Sequence, residues 1–99
     1  MAEVRVSQEV GGKPAAIFDK VRKYCDTKLI LKEVGDLKPE VEWEKKKRLG
    51  NFNEKGVKGT ITVTSDPCTI TITMDIPIYL APFKSVLKKS IQKHLANFC

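Results

Sequence analysis

Cysteine, histidine and long hydrophobic runs are scarce in this sequence, and each scarcity removes a class of function. Three cysteines occur, Cys25, Cys68 and Cys99. They are odd in number, lie far apart and form no CxxC pair, so neither a disulfide framework nor a zinc site is expected. Free thiols suit a reducing compartment, and the expected location is the cytoplasm. His94 is the only histidine. No nucleophile or acid signature accompanies it, so it reads as a boundary residue of a helix, and no catalytic, cofactor-binding or metal-ligating residue is assigned. The chain is expected not to be an enzyme. The apolar run Leu29-Ile30-Leu31 is far too short to span a bilayer. Met-Ala-Glu-Val opens directly into a strand pattern, so no leader is expected. Aromatics are few, with four Phe, two Tyr and one Trp, and aliphatic side chains must therefore make most of the core.

What is present suits one globular domain over residues 1–99. A chain of this size buries roughly two-thirds of its unfolded surface. Apolar residues at 41% and charged residues at 30% exclude a disordered chain. Lys and Arg number 18 against 12 Asp and Glu, leaving +6. That surplus favours acidic partners such as nucleic acid, anionic lipid or an acidic protein, and it also matches an ordinary solubilising surface.

Hydrophobic periodicity orders the elements. Val4, Val6 and Val10 alternate with polar residues, predicting a first strand that Gly11-Gly12 ends. Pro14 suits the first turn of a helix. Ile17, Phe18, Val21, Tyr24, Cys25 and Leu29 then recur at helical steps, predicting a helix from Pro14 to about Val34 with Gly35 after its end. A meander follows. Val41 and Trp43 alternate with Glu40, Glu42 and Glu44, and Lys45-Lys46-Lys47-Arg48 reads as a turn. Leu49 and Phe52 break strict alternation, so Gly50 is expected to form a bulge. Val57, Gly59, Ile61 and Val63 share one face of a fourth strand. Cys68, Ile70, Ile72, Met74 and Ile76 share one face of a fifth, with threonines opposite both. A final helix is expected from Pro82 to Phe98, with Phe83, Val86, Leu87, Ile91, Leu95 and Phe98 turned inward. The fold class is therefore α+β: one curved antiparallel sheet of about five strands with two helices on one face, in the order β-α-β-β-β-β-α. The first strand is placed beside the last.

Three stretches carry a family resemblance. They are Pro39-Glu40-Val41-Glu42-Trp43-Glu44, Gly56-Val57-Lys58-Gly59-Thr60-Ile61-Thr62-Val63, and Ile76-Pro77 through Leu80-Ala81-Pro82-Phe83-Lys84. Together they resemble small bacterial proteins named after the polyhydroxyalkanoic acid system, over about Val6 to Leu95. The resemblance implies an association with polyhydroxyalkanoate storage granules or their proteins, and no catalytic residues to carry over. The Lys45–Arg48 run departs from the family pattern, where a shorter acidic or neutral turn stands.

Two candidate contact surfaces follow. Lys45, Lys46, Lys47 and Arg48, at a hairpin tip, offer phosphate contacts to an anionic partner, or else form a solvated turn. No aromatics interleave with the run, as binding of nucleic-acid single strands usually requires. Ile78, Tyr79 and Leu80, in a short apolar connection, offer an apolar contact. Cys25 and Cys68 read as core residues. Glu40, Glu42 and Glu44 read as a solvated face, with Lys58 a possible cross-strand partner. The leading functional reading is a non-catalytic accessory protein. The alternatives are a carrier of a small apolar ligand, held between the sheet and the last helix, and a basic nucleic-acid-binding domain. Oligomeric state is left open.

Overall fold

A computed structural model describes residues 2–28, 38, 40–54, 56–65 and 67–98. Five strands form one open antiparallel sheet in the order β1-β5-β4-β3-β2. They are β1 (Ala2–Glu9), β2 (Glu42–Glu44), β3 (Leu49–Glu54), β4 (Val57–Thr64) and β5 (Thr69–Ile76), with helices α1 (Pro14–Thr27) and α2 (Lys84–Ala96). The α+β reading and the placement of the first strand beside the last hold. Val4 stands opposite Met74 and Val6 opposite Ile72.

Alternation decides which side is wet. Every inward position of β4 and β5 is buried: Val57, Gly59, Ile61, Val63, Ile70, Ile72, Met74 and Ile76. Their neighbours Lys58, Thr60, Thr62, Thr69, Thr71 and Thr73 stay at least partly exposed on the other face. Ile17, Phe18, Val21 and Cys25 of α1 join these side chains in one cluster, as do Leu87, Ile91 and Leu95 of α2. Both helices thus cover the same face, α1 packing on β4 and α2 on β1. β-Branched residues suit the pleated surface beneath them.

Two inward glycines shape the β2–β3–β4 side. Phe52 stands directly opposite Gly59, and Trp43 opposite Gly50. A Cβ on Gly59 would overlap the Phe52 ring, and one on Gly50 would come 2.6 Å from the Trp43 ring. Each glycine leaves room for the aromatic on the neighbouring strand to lie across it, a known way to cover an otherwise bare strand position. Phe18 of α1 meets Trp43 edge-on, with centroids 5.6 Å apart.

This arrangement corrects the expected bulge. The β3–β4 register runs without interruption from Leu49↔Thr62 to Glu54↔Val57. Gly50 is itself the inward residue, and Leu49 lies on the opposite face with Asn51 and Asn53. The alternation was intact all along, with a glycine standing where a large side chain was sought.

The helix ends also differ from expectation. α1 ends at Thr27, where Lys28 leaves helical geometry (φ −120°, ψ −20°). The expected continuation to Val34 and the Gly35 cap lie outside the described residues. The segment before α2 is a 3-10 helix, Ile78–Phe83, containing Pro82. It winds at three residues per turn, so the helical phase read back through Phe83 is lost. Phe83 and Val86, both expected inside, are each 49% exposed.

Substituting Gly59 by Ala is expected to cost about 1–3 kcal/mol, the range for overpacking a filled core. Phe52→Ala alone should cost about 3–5 kcal/mol. In urea denaturation the double variant should lose less than the sum of the two, because the collision vanishes with the ring. Simple additivity would show that the two positions do not share one space.

Candidate functional site

With one face of the sheet sealed, chemistry is left to the surface. Lys45, Lys46 and Lys47 are exposed in the β2–β3 turn, as expected. Arg48 has a positive φ of 48°, and its N–H donates to the Lys45 carbonyl at 3.3 Å, which closes the turn tightly. Its carbonyl accepts from the Val63 N–H at 3.1 Å, tying the turn to β4. The three lysines are therefore free surface, and Arg48 is partly structural.

The apolar connection is split by the 3-10 turn. Leu80 turns into the core at 7% exposure, which removes it from the expected contact surface. Ile78 and Tyr79 point outward at 76% and 69% exposure. A 3-10 helix of this length cannot bury three consecutive residues on one side, and Leu80 is the one the core takes. Phe83 and Val86 extend the exposed apolar surface into α2. Lys84, Lys88 and Lys89 are exposed on the same helix. Ile78, Tyr79, Phe83 and Val86 are thus four large apolar side chains left in water close together in sequence.

A second feature was not legible in the sequence. The Tyr24 hydroxyl of α1 is hydrogen-bonded to His94 Nδ1 of α2. The Tyr24 and Phe98 rings meet edge-on at 5.2 Å. Asn97 Nδ2 donates to the Tyr24 hydroxyl at 3.4 Å and to the carbonyl oxygens of Lys93 and His94 at 3.3 and 3.1 Å. Burial is the main reason the Tyr24 phenol titrates above its ordinary value, and the Asn97 hydrogen bond only partly offsets it. Such a phenol remains protonated at neutral pH, and the Tyr24–His94 hydrogen bond joins the two helices. Beside it lies a groove of about 530 Å³ lined by Lys20, Lys23, Tyr24, Thr27, Lys28, Asn97 and Phe98.

The opposite corner of the sheet holds a polar groove of about 630 Å³ between Glu40, Glu42, Glu54, Asp75 and Lys58. Lys58 stands opposite Asp75 on one side and Asn53 on the other. The expected pairing of Lys58 with the glutamates of β2 is not made, and the one ion pair among the described residues is Asp19–Arg22 at 3.6 Å. Glu54 instead accepts the Glu40 backbone N–H at 3.0 Å. Among the described residues, no group of three His, Cys, Asp or Glu side chains has metal-binding geometry.

Cys25 and Cys68 are buried in the core. Desolvation, reinforced by the Asp26 charge, pushes the Cys25 thiol up to about 12. A thiol held in that form is a poor nucleophile.

Fold and surface together define a small α+β module whose described apolar residues form one buried core. The family model described as "Putative polyhydroxyalkanoic acid system protein" (PHA_gran_rgn) matches residues 15–98. The chain belongs to that family, and the resemblance drawn from its three motif stretches is confirmed. No curated protein and no solved structure matches it. No helix of the described residues is long and apolar enough to cross a membrane.

Two outcomes test these placements. Replacing Lys45, Lys46 and Lys47 together by Ser should leave thermal stability within about 0.5 kcal/mol, as for other exposed positions. For Cys25 the unfolded thiol titrates near 9.0 and the folded one near 12. The unfolded state therefore releases its proton first, and stability must fall as pH rises through that window, by up to about 1.4 kcal/mol per unit. Denaturation at pH 8 to 11 should show a shallower decline for Cys25→Ala than for the wild type. Equal slopes would place the thiol in water.

Proposed function

We propose that this protein is a non-catalytic accessory protein of polyhydroxyalkanoate storage, one that docks on the apolar surface of a granule or its protein coat. The observation that carries the reading is the run of outward apolar side chains Ile78, Tyr79, Phe83 and Val86. Family membership supplies the context, since the family is named for the polyhydroxyalkanoic acid system. Transfer of such side chains out of water contributes about 25 cal/mol per Å² of apolar area. Exposed lysines beside the patch add attraction to an anionic coat.

The alternatives are weaker. An apolar-ligand carrier needs room between the sheet and the last helix, where Leu87, Ile91 and Leu95 are each at most 2% exposed. A nucleic-acid binder would use the Lys45–Lys47 turn, whose described neighbours include no exposed aromatic platform.

The test is co-sedimentation with amorphous polyhydroxybutyrate particles. Ile78→Ser combined with Phe83→Ser should abolish most of the binding while leaving the melting temperature nearly unchanged, because both residues are already exposed. Binding that survives these changes, or that disappears between 50 and 200 mM salt as phosphate contacts do, would overturn the reading.

A further inference from the structure

We propose that the groove between the C-terminal turns of α1 and α2 binds a small amphipathic monoanion, a carboxylate carrying a short alkyl chain. The site lies apart from the apolar patch and does not rest on the function proposed above.

The charges of α1 adjoin in helical projection, Lys23 lying four residues after Asp19 and three before Asp26, but no carboxylate lines the groove. Lys20, Lys23, Tyr24 and Thr27 are related by steps of three, four and seven and fall on one flank, with Lys28 following at the helix end. Asp19, Arg22 and Asp26 lie on the adjoining flank, where Asp19 and Arg22 pair with each other. The groove lining carries Lys20, Lys23 and Lys28 and no acidic side chain, and none of the three lysines takes part in an ion pair among the described residues. All three are exposed at their own positions, and Lys93 of α2 stands one turn before Asn97. The groove is therefore a positively charged concavity.

Its other lining selects the kind of anion. Two helix C-termini meet here, and each carries partial negative charge on its last carbonyls. Much of that charge is already engaged. The Thr27 hydroxyl donates to the Lys23 carbonyl, the Lys28 N–H to the Tyr24 carbonyl, and Asn97 to those of Lys93 and His94. What remains opposes a dianion more than a monoanion. The groove lacks the features that favour phosphate, namely helix N-terminal amides and an arginine fork. The Tyr24 and Phe98 rings provide an apolar wall beside the ammonium groups. Lysine heads with an aromatic wall complement a carboxylate head and a short alkyl tail.

The experiment is an amide NMR titration of the intact protein with hexanoate, with hexanamide as its uncharged counterpart and with inorganic phosphate. Hexanoate should give saturable shifts at Lys23, Tyr24, Thr27, Asn97 and Phe98, and hexanamide should give none at the same concentrations. Lys20→Gln with Lys23→Gln should weaken hexanoate about tenfold or more, while Lys45→Ser with Lys46→Ser should leave it unchanged. Ile78→Ser with Phe83→Ser should also leave it unchanged, which separates this site from the granule-docking surface. Equal binding of hexanamide, tighter binding of phosphate, or shifts spread without saturation over all the lysines would each refute the proposal.

Discussion

The side of the sheet formed by β2, β3 and β4 depends on aromatic rings lying over backbone that carries no side chain. Phe52 over Gly59 and Trp43 over Gly50 fill with one residue the space two would normally occupy. Phe18 then closes against Trp43, which fixes α1 over this half of the sheet. Close packing of this kind tolerates little change in volume, because a displaced ring has no empty neighbour to move into. The β1–β5 half is closed differently. There, the pairs Val4–Met74 and Val6–Ile72 join the Leu87, Ile91 and Leu95 stripe of α2 in the core, with no comparable aromatic lock among the described residues.

A core closed from both helices leaves function to the rim. The inward face carries no buried polar or charged side chain among the described residues. The outward face is a lattice of threonines with hydroxyl contacts such as Ser7–Thr71 and Thr60–Asn51, both 3.1 Å. Beyond the acidic groove of the sheet and the Lys45–Lys47 turn, two places depart from this background, the outward apolar run around the 3-10 turn and the cationic groove at the helix ends. Each lies where a helix begins or stops, because regular elements commit their side chains to the core or to water by periodicity. A terminus breaks that commitment.

The same reasoning explains what the sequence could disclose. Strict alternation in β4 and β5 exposed both faces of the central hairpin, and the isoleucines and threonines there followed it without exception. The Gly50 position misled because glycine carries no hydrophobic mark, so an intact alternation looked interrupted. Phe83 and Val86 misled because steps of three and four count equally in a helical pattern. Phe83 stays in phase with Leu87 only if the helix is α from Pro82 onward, and here it is not; Val86 lies within α2 but on the flank beside the buried Leu87, Ile91 and Leu95 stripe. The Tyr24–His94 contact joins residues on different helices, and no local pattern could signal it. The outward direction of Ile78 and Tyr79 agrees with the expected contact surface, whereas Leu80 shows that three adjacent residues in a tight turn cannot all face one way.

The two surfaces lie at opposite ends of one helix. Val86, Ser90, His94 and Asn97 advance by three or four residues and so follow one flank of α2. Along that flank Val86 of the apolar patch and Asn97 of the groove lie about 15–20 Å apart at 1.5 Å per residue. This separation exceeds the screening length of about 8–10 Å at physiological salt. Charges removed at one end therefore alter the field at the other only slightly, and variants of the two surfaces should combine additively unless a shared ligand bridges them.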